Sequence, residues 1–176
     1  QNRVFDLQRD WLGQENISEV LNFTRPEVIQ EIHEAFLAVG CDAVETNTFG
    51  ANKIVLAEAE MPERAYENNV AAAQIARRAC DRFETPDSPR YVVGAAGGGT
   101  KLLTLGMTTW DVVVDSYHTQ FCGLIDGGVD LLLFETQQDL LIIKAMLVAA
   151  ERVFAEKGRR LPIIVQASFD QDNGNQ

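Results

Sequence analysis

Gly127-Gly128-Val129-Asp130-Leu131-Leu132-Leu133-Phe134-Glu135-Thr136 is the stretch whose reading decides the fold. Two glycines stop a helix, and a short apolar run follows with no polar alternation. Such a run fits a strand buried on both faces of a parallel sheet better than a half-exposed antiparallel one. The charge sits at its carboxyl end. Sheets and barrels of the α/β class place ligand chemistry at that end, which makes Glu135 the first candidate site residue.

An earlier stretch, Gly40-Cys41-Asp42-Ala43-Val44-Glu45-Thr46-Asn47-Thr48-Phe49, repeats the grammar. It too runs from a helix-ending Gly through an Asp into a strand with a polar finish. Counted from the two Asp residues, Asn47 and Glu135 fall at the same offset. Side chains alternate along a strand, so Leu131, Leu133 and Glu135 share one face, and Glu45, Asn47 and Phe49 share one face of theirs. In comparable register, Glu135 and Asn47 would line one pocket mouth. The plainer alternative is that Glu45, Asn47 and Glu135 only solvate strand ends.

The same grammar organises the rest of the chain. Residues 1–21 mix polar side chains with isolated Val4, Phe5, Leu7, Trp11 and Leu12, the pattern of an irregular segment lying across an apolar surface. Thr24-Arg25-Pro26-Glu27 has the form of a capping box with Thr24 as N-cap, opening a helix that Gly40 ends. A strand over 43–49 follows, then a short helical turn over 54–59. An Ala-rich helix over 63–83 suits close packing on a sheet. Tyr91 to Ala96 form a strand. Gly97-Gly98-Gly99-Thr100-Lys101 lacks the spacing of a Walker phosphate loop and reads as a flexible loop at the ligand face. A phosphate-binding α/β enzyme, depending on Lys101, is kept as an alternative. A helix over 111–126, with Thr108 and Thr109 as possible caps, precedes the Glu135 strand. A helix over 138–157, ended by Gly158, and a strand over 162–169 follow it.

The chain has 176 residues, 46% of them hydrophobic, enough for one domain with a real core. Its formal charge of -11, from 26 acidic and 15 basic residues, argues against a nucleic-acid partner. No apolar run approaches the ~18 residues that span a membrane. Cys41, Cys80 and Cys122 are widely spaced, so free, buried thiols in a cytoplasmic setting are expected. His33 and His118 fall inside helices, with no second ligand at a spacing that forms a recognisable metal set, and are assigned packed or helix-surface roles.

Helix and strand alternate with Gly at helix ends. That order predicts a β/α barrel or an open parallel sheet. Four strands are too few to close a barrel, which takes about 250 residues.

Four segments carry a family resemblance: Asn22 to Ile29, Glu45 to Ala51, Thr100 to Gly106, and Gly127 to Thr136. In family order, over about 20–170, they resemble the homocysteine-binding domain of cobalamin-dependent methionine synthase, within the homocysteine S-methyltransferase family. The resemblance implies a TIM (β/α)8 barrel, of which residues 1–176 would be a partial domain covering about strands two to five. It also implies methyl transfer to homocysteine sulfur. The donor would be methylcobalamin, held by a cobalamin-binding domain and recharged from methyltetrahydrofolate on a folate-binding domain. Betaine and S-methylmethionine are the alternative donors. By resemblance, Glu135 holds the homocysteine amino group, and Asn47 and Thr48 line the same pocket.

Zinc would activate the thiol, because a bound metal ion lowers its pKa. The family's zinc cysteines follow the sixth strand and lie near the eighth, and Cys41, Cys80 and Cys122 match neither position. Nor does the segment before Asn22 supply the family's Asp-Gly-Ala-Met-Gly-Thr-like first strand. The chain by itself is therefore expected neither to hold zinc tightly nor to transfer methyl groups. A self-associating barrel fragment, with its open sheet edges covered by a second copy, is the non-enzymatic alternative.

Overall fold

The structure, a computed structural model, describes residues 4–14 and 16–168. A 3-10 turn over Ser18–Val20 and a short helix α1 (Leu21–Thr24) lead into α2 (Pro26–Ala38) and strand β1 (Ala43–Glu45). Helix α3 (Lys53–Leu56), turns over Ala57–Ala59 and Pro62–Arg64, and α4 (Ala65–Phe83) follow. Then come β2 (Tyr91–Ala96), α5 (Trp110–Gly127), β3 (Leu131–Gln137), α6 (Leu140–Lys157) and β4 (Ile163–Ala167).

The four strands form one parallel sheet in the order β1-β2-β3-β4. A doubly wound sheet reverses its strand order at a switch point, whereas a barrel wall keeps sequential order, and this sheet keeps it. α2 packs on α4, α4 on α5 and α5 on α6, as consecutive staves of one helical layer. The chain is thus a segment of a β/α barrel wall.

Between sheet and helices lies the core. Val44, Val92, Ala96, Leu132 and Phe134 point into it and meet Tyr117, Phe121, Leu124 and Met146. The Phe121 and Phe134 rings stack at 5.1 Å. Fully burying side chains such as Leu132 and Phe134 stabilises the fold by about 1.5–3 kcal/mol each, with about 0.5–1.5 kcal/mol more for the aromatic pair.

The opposite sheet face carries Ala43, Glu45, Tyr91, Leu131 and Glu135, exposed or half-buried, and Ile164, 48% exposed, around a buried centre of Val93, Ala95 and Leu133. No helix covers this face among the described residues. The run is therefore buried on both sides at Leu132, Leu133 and Phe134, and only its ends, Leu131 and Glu135, are half-buried on the second face.

The repeated Asp has a local role. Asp130 accepts from the Arg77 guanidinium at 2.5 Å and from the Val92 N–H at 2.7 Å, tying β3's start to β2. Asp42 accepts from Arg90 at 3.0 Å, and its carbonyl accepts from the Tyr91 N–H at 2.9 Å.

Several boundaries move. Thr24 is not an N-cap: it closes α1, and its hydroxyl donates to the Asp10 carbonyl at 2.5 Å. α2 starts at Pro26 behind Arg25, whose side chain takes Glu27 at 2.6 Å. Thr109 precedes α5 without a side-chain cap bond. Asp139, in contrast, caps α6 through the Leu141 N–H at 2.8 Å. Gly128 (φ 97°) and Gly158 (φ 62°) end α5 and α6 in the left-handed conformation. The segment before α1 lies on apolar surface, with Phe5 and Trp11 packed on Leu21, Ile29 and Ile75. Phe169, the expected end of the last strand, lies outside the described residues.

Candidate functional site

β1 stops at Glu45, earlier than the expected Phe49, because side chains take over the ladder. The Thr46 hydroxyl accepts from the Ala95 N–H at 3.1 Å, and the Thr48 hydroxyl donates to the Ala95 carbonyl at 2.7 Å. The two hydroxyls also bond each other at 2.5 Å. Both backbone groups of Ala95 are satisfied without a continuing strand, as buried groups must be. Thr48 is 0% exposed. It holds the β1–β2 seam from inside, rather than lining the open face as its place in the predicted pocket requires.

Asn47 points the other way and is tied to the N-terminal segment. Its amide donates to the Ser18 carbonyl at 2.9 Å and to Asn22 Oδ1 at 3.2 Å, and its side-chain oxygen accepts from the Ser18 hydroxyl at 3.1 Å. Asn22 in turn donates to the Asn47 carbonyl at 2.8 Å and to Asn68 at 2.7 Å. This network continues to Glu19, whose carboxylate accepts from the Gly50 N–H at 2.5 Å. The Asn22 and Glu45-to-Ala51 segments are thus parts of one lock.

Glu135 stands near the carboxyl end of β3 on the open face, half-buried. Burial, and then the nearby Glu45 carboxylate, push its pKa above the ordinary glutamate value. Thr136, next in the chain, has φ 54°, and the β3–β4 register breaks between Phe134 and Gln137. A bulge and a left-handed non-glycine residue beside a carboxylate re-aim the side chain and are frequent at functional sites. Gln137 braces the bulge from within, donating to the Glu135 carbonyl at 3.0 Å and the Ala96 carbonyl at 3.3 Å.

The equal-offset reading of the two Asp stretches is corrected by the stagger of the wall. Glu45 pairs with Val93, and Val93 with Leu131, so Glu45 stands level with Leu131 rather than with Leu133. This slip of two residues keeps Glu45 and Glu135 on one face but moves Asn47 away from a position opposite Glu135. Glu45 is the acidic neighbour that the site residue meets.

Above the strand ends, the glycine loop is anchored at Gly97. Tyr117 donates to the Gly97 carbonyl at 2.6 Å, and the Gly97 N–H donates to the Phe49 carbonyl at 2.9 Å. A Cβ on Gly97 would lie 2.7 Å from the Phe49 ring, so a side chain there would push that half-exposed ring aside. Lys101 is exposed, and no helix begins before Trp110. The arrangement is that of a packed loop, not a phosphate cradle with a helix N-terminus behind it.

The three thiols lie far from this end. Helices run opposite to the strands, so residues late in a helix sit at the amino end of the sheet. Cys80 and Cys122 are late in α4 and α5, and Cys41 precedes β1. Cys80 is buried and donates to the Tyr91 carbonyl at 3.6 Å, and burial raises its pKa to about 11. Cys41 and Cys122 are only partly buried, against the expectation that all three are enclosed. A thiolate-rich zinc site at the carboxyl end is therefore not assembled by the described residues.

A different group of donors does assemble. His118 and Cys122, four apart on α5, meet Glu156 of α6, and one ligand atom from each lies within 4.8 Å of the others. His118 Nε2 is 2.9 Å from the Glu156 carboxylate, and its Nδ1 is 3.9 Å from the Cys122 sulfur. These three form a potential metal site. It corrects the reading that no second ligand faces His118. The i, i+4 spacing was visible in the sequence, but Glu156 is 38 residues away from His118 and only helix packing brings it there.

Comparison with known proteins now identifies the chain. The family description "Homocysteine S-methyltransferase" fits residues 1–176 in full. The chain is 42% identical over 161 residues to methionine synthase of Mycobacterium leprae (strain TN), and 41% identical over 161 residues to that of Mycobacterium tuberculosis (strain ATCC 25618 / H37Rv). The matched region is 92% of this chain but only 13% and 14% of those relatives. The homocysteine methyltransferase MmuM from Escherichia coli, in its oxidized form, superposes with a TM-score of 0.66 at 17% identity, over 94% of this chain and 66% of that one. That likeness is one of fold, and it agrees with the barrel-wall order of the sheet. On the full-length family match and the identity to two methionine synthases, the chain belongs to the homocysteine S-methyltransferase family.

Proposed function

We propose that this chain is the homocysteine-binding part of a methionine-synthase-type enzyme, in which homocysteine sulfur accepts a methyl group. The observation that carries the proposal is Glu135: a half-buried carboxylate next to a strained bulge, on the open face and beside a second carboxylate. Two acids there attract a cationic group, and the substrate's ammonium supplies one. Glu135 pairs with the ammonium. Glu45 adds negative potential, while Thr46, Thr48 and Asn47 fix the strand end that carries it. The identity to two methionine synthases, of which the matched region is only 13% and 14%, supports a longer protein with further domains. The resemblance carried by the four segments implies methylcobalamin as donor, with cobalamin-binding and folate-binding domains as partners. A cytoplasmic setting belongs to the same proposal and is supported by the three free thiols.

Zinc is the family's thiol activator, but the described residues do not fit it at the carboxyl end, where carboxylates gather and no thiol does. No step of the chemistry is therefore assigned to zinc held by this chain. The test is the Michaelis constant for homocysteine in the longest natural protein containing these residues. Because a charge-assisted hydrogen bond contributes ~1.5–3 kcal/mol, Glu135→Gln should raise it about 10- to 100-fold. An unchanged constant would remove Glu135 from the site.

A second reading, self-association through the sheet edges, has its own support. Phe36 is 57% exposed and Val39 82% beside the outer edge of β1, and Ile164 and Val165 are exposed on β4. A groove of about 470 Å³ between α2 and β1, lined by Ile29, Ile32, His33 and Phe36 among others, continues this apolar margin.

A further inference from the structure

We infer that His118, Cys122 and Glu156 form a structural site for a borderline-soft divalent cation of the zinc class, pinning α5 to α6 on the outside of the helical layer. It is separate from the homocysteine face and does not rest on the methyl-transfer reading.

The donor set selects the metal. Imidazole, thiolate and carboxylate together suit zinc or cobalt(II), whereas magnesium and calcium want all-oxygen shells. The donor atoms lie within 4.8 Å of one another. A tetrahedral zinc takes sulfur at ~2.3 Å and nitrogen or oxygen at ~2.0–2.2 Å, so a modest inward turn of these side chains closes the site. His118 can use one ring nitrogen, and the partly exposed Glu156 is the mobile partner. The fourth position is open to water.

The surroundings favour a cation. Lys157 is the near positive charge, but its ammonium is held by Asp126 at 2.6 Å, and Asp126 also accepts from the Tyr66 hydroxyl at 2.9 Å. Asp126 thus neutralises the lysine, and Cys122 as thiolate with Glu156 leaves the cluster anionic. Cys122 loses its thiol proton to solvent when the metal–sulfur bond forms, with no change in oxidation state.

Position settles the role. Cys122 is late in α5 and Glu156 is next to the last residue of α6, so the site lies toward the amino end of the wall. In β/α barrels that end contributes stability, while chemistry stays at the other end. A cation here adds a second polar link, beside the Lys157–Asp126 ion pair, between two helices that otherwise meet through apolar packing.

Cobalt(II) titration of the reduced 176-residue chain tests the inference. A near-ultraviolet thiolate-to-cobalt charge-transfer band should saturate at one cobalt per chain and be displaced by zinc. Cys122→Ser should abolish it, Glu156→Gln should weaken cobalt binding at least tenfold, and Cys41→Ser should leave it unchanged. All three substituted positions are at least partly exposed, so the variants keep the fold. Absence of the band, or a band that survives Cys122→Ser, would overturn the inference. Homocysteine binding should be the same with and without the metal, which keeps this result distinct from the fate of the Glu135 assignment.

Discussion

His33 and Glu135 show what burial does to single ionisable groups in this protein. His33 is 6% exposed with Nε2 unpartnered, and burial lowers its pKa from 6.5 to about 4. Above pH 6.5 the ring is neutral in both folded and unfolded chains, and its full contribution is present. Between 6.5 and 4 the unfolded chain takes up a proton that the folded chain refuses, so stability falls, by about 3 kcal/mol in all. Urea unfolding as a function of pH should show this loss, and His33→Gln should flatten it. Glu135 has the opposite sign. Its raised pKa means that folding disfavours the charged form, so its contribution is best at low pH and declines as pH rises through the folded value. Glu135→Gln is therefore expected to raise the melting temperature at neutral pH while weakening substrate binding. A fall in melting temperature would show that the carboxylate is structural. The same shift makes homocysteine affinity decline on acidification at a higher pH than an ordinary glutamate would.

Among the elements, the α4–α5 seam is the tightest. A Cβ on Gly127 would lie 2.5 Å from the Ala73 Cβ and 2.8 Å from the Val70 carbonyl oxygen, and one on Gly123 would lie 2.6 Å from the Tyr66 carbonyl oxygen. These neighbours are mostly backbone, so they cannot step aside. The Ala-rich sequence of α4 was legible as a close-packing helix, but the surface it approaches is α5 as much as the sheet, through two glycines one turn apart. Gly127→Ala should destabilise the protein by about 1–3 kcal/mol in thermal or urea unfolding, as overpacked cores do. Loss of less than a few tenths of a kcal/mol would mean that the helices separate freely. The strand ends show the other side of element-level reading. Alternation put Glu45, Asn47 and Glu135 on the correct faces, yet β1 ended early because Thr46 and Thr48 hydroxyls replaced its backbone partners. Propensity contains no term for that substitution.

At the scale of the molecule, the parallel wall has two unpaired edges among the described residues, with apolar side chains exposed beside both. Unpaired edges are templates for further strands. Sedimentation of the isolated chain should give a mass that rises with concentration, and Ile164→Lys should hold it at the monomer value. A monomer at all concentrations would remove the self-association reading. The sequence by itself determined the helix and strand alternation, the glycine stops, the parallel class, the family and the carboxylate worth watching. Each of these depends on neighbours within a few residues or on motifs in order. Tertiary structure alone decided that the strands run in sequential order with one open face, and that Glu135 faces Glu45 across a two-residue stagger. It also decided that Thr48 turns inward and that Glu156 reaches His118 and Cys122. These depend on contacts between residues about 40 to 90 apart, set by sheet register and helix packing, which local sequence pattern does not encode.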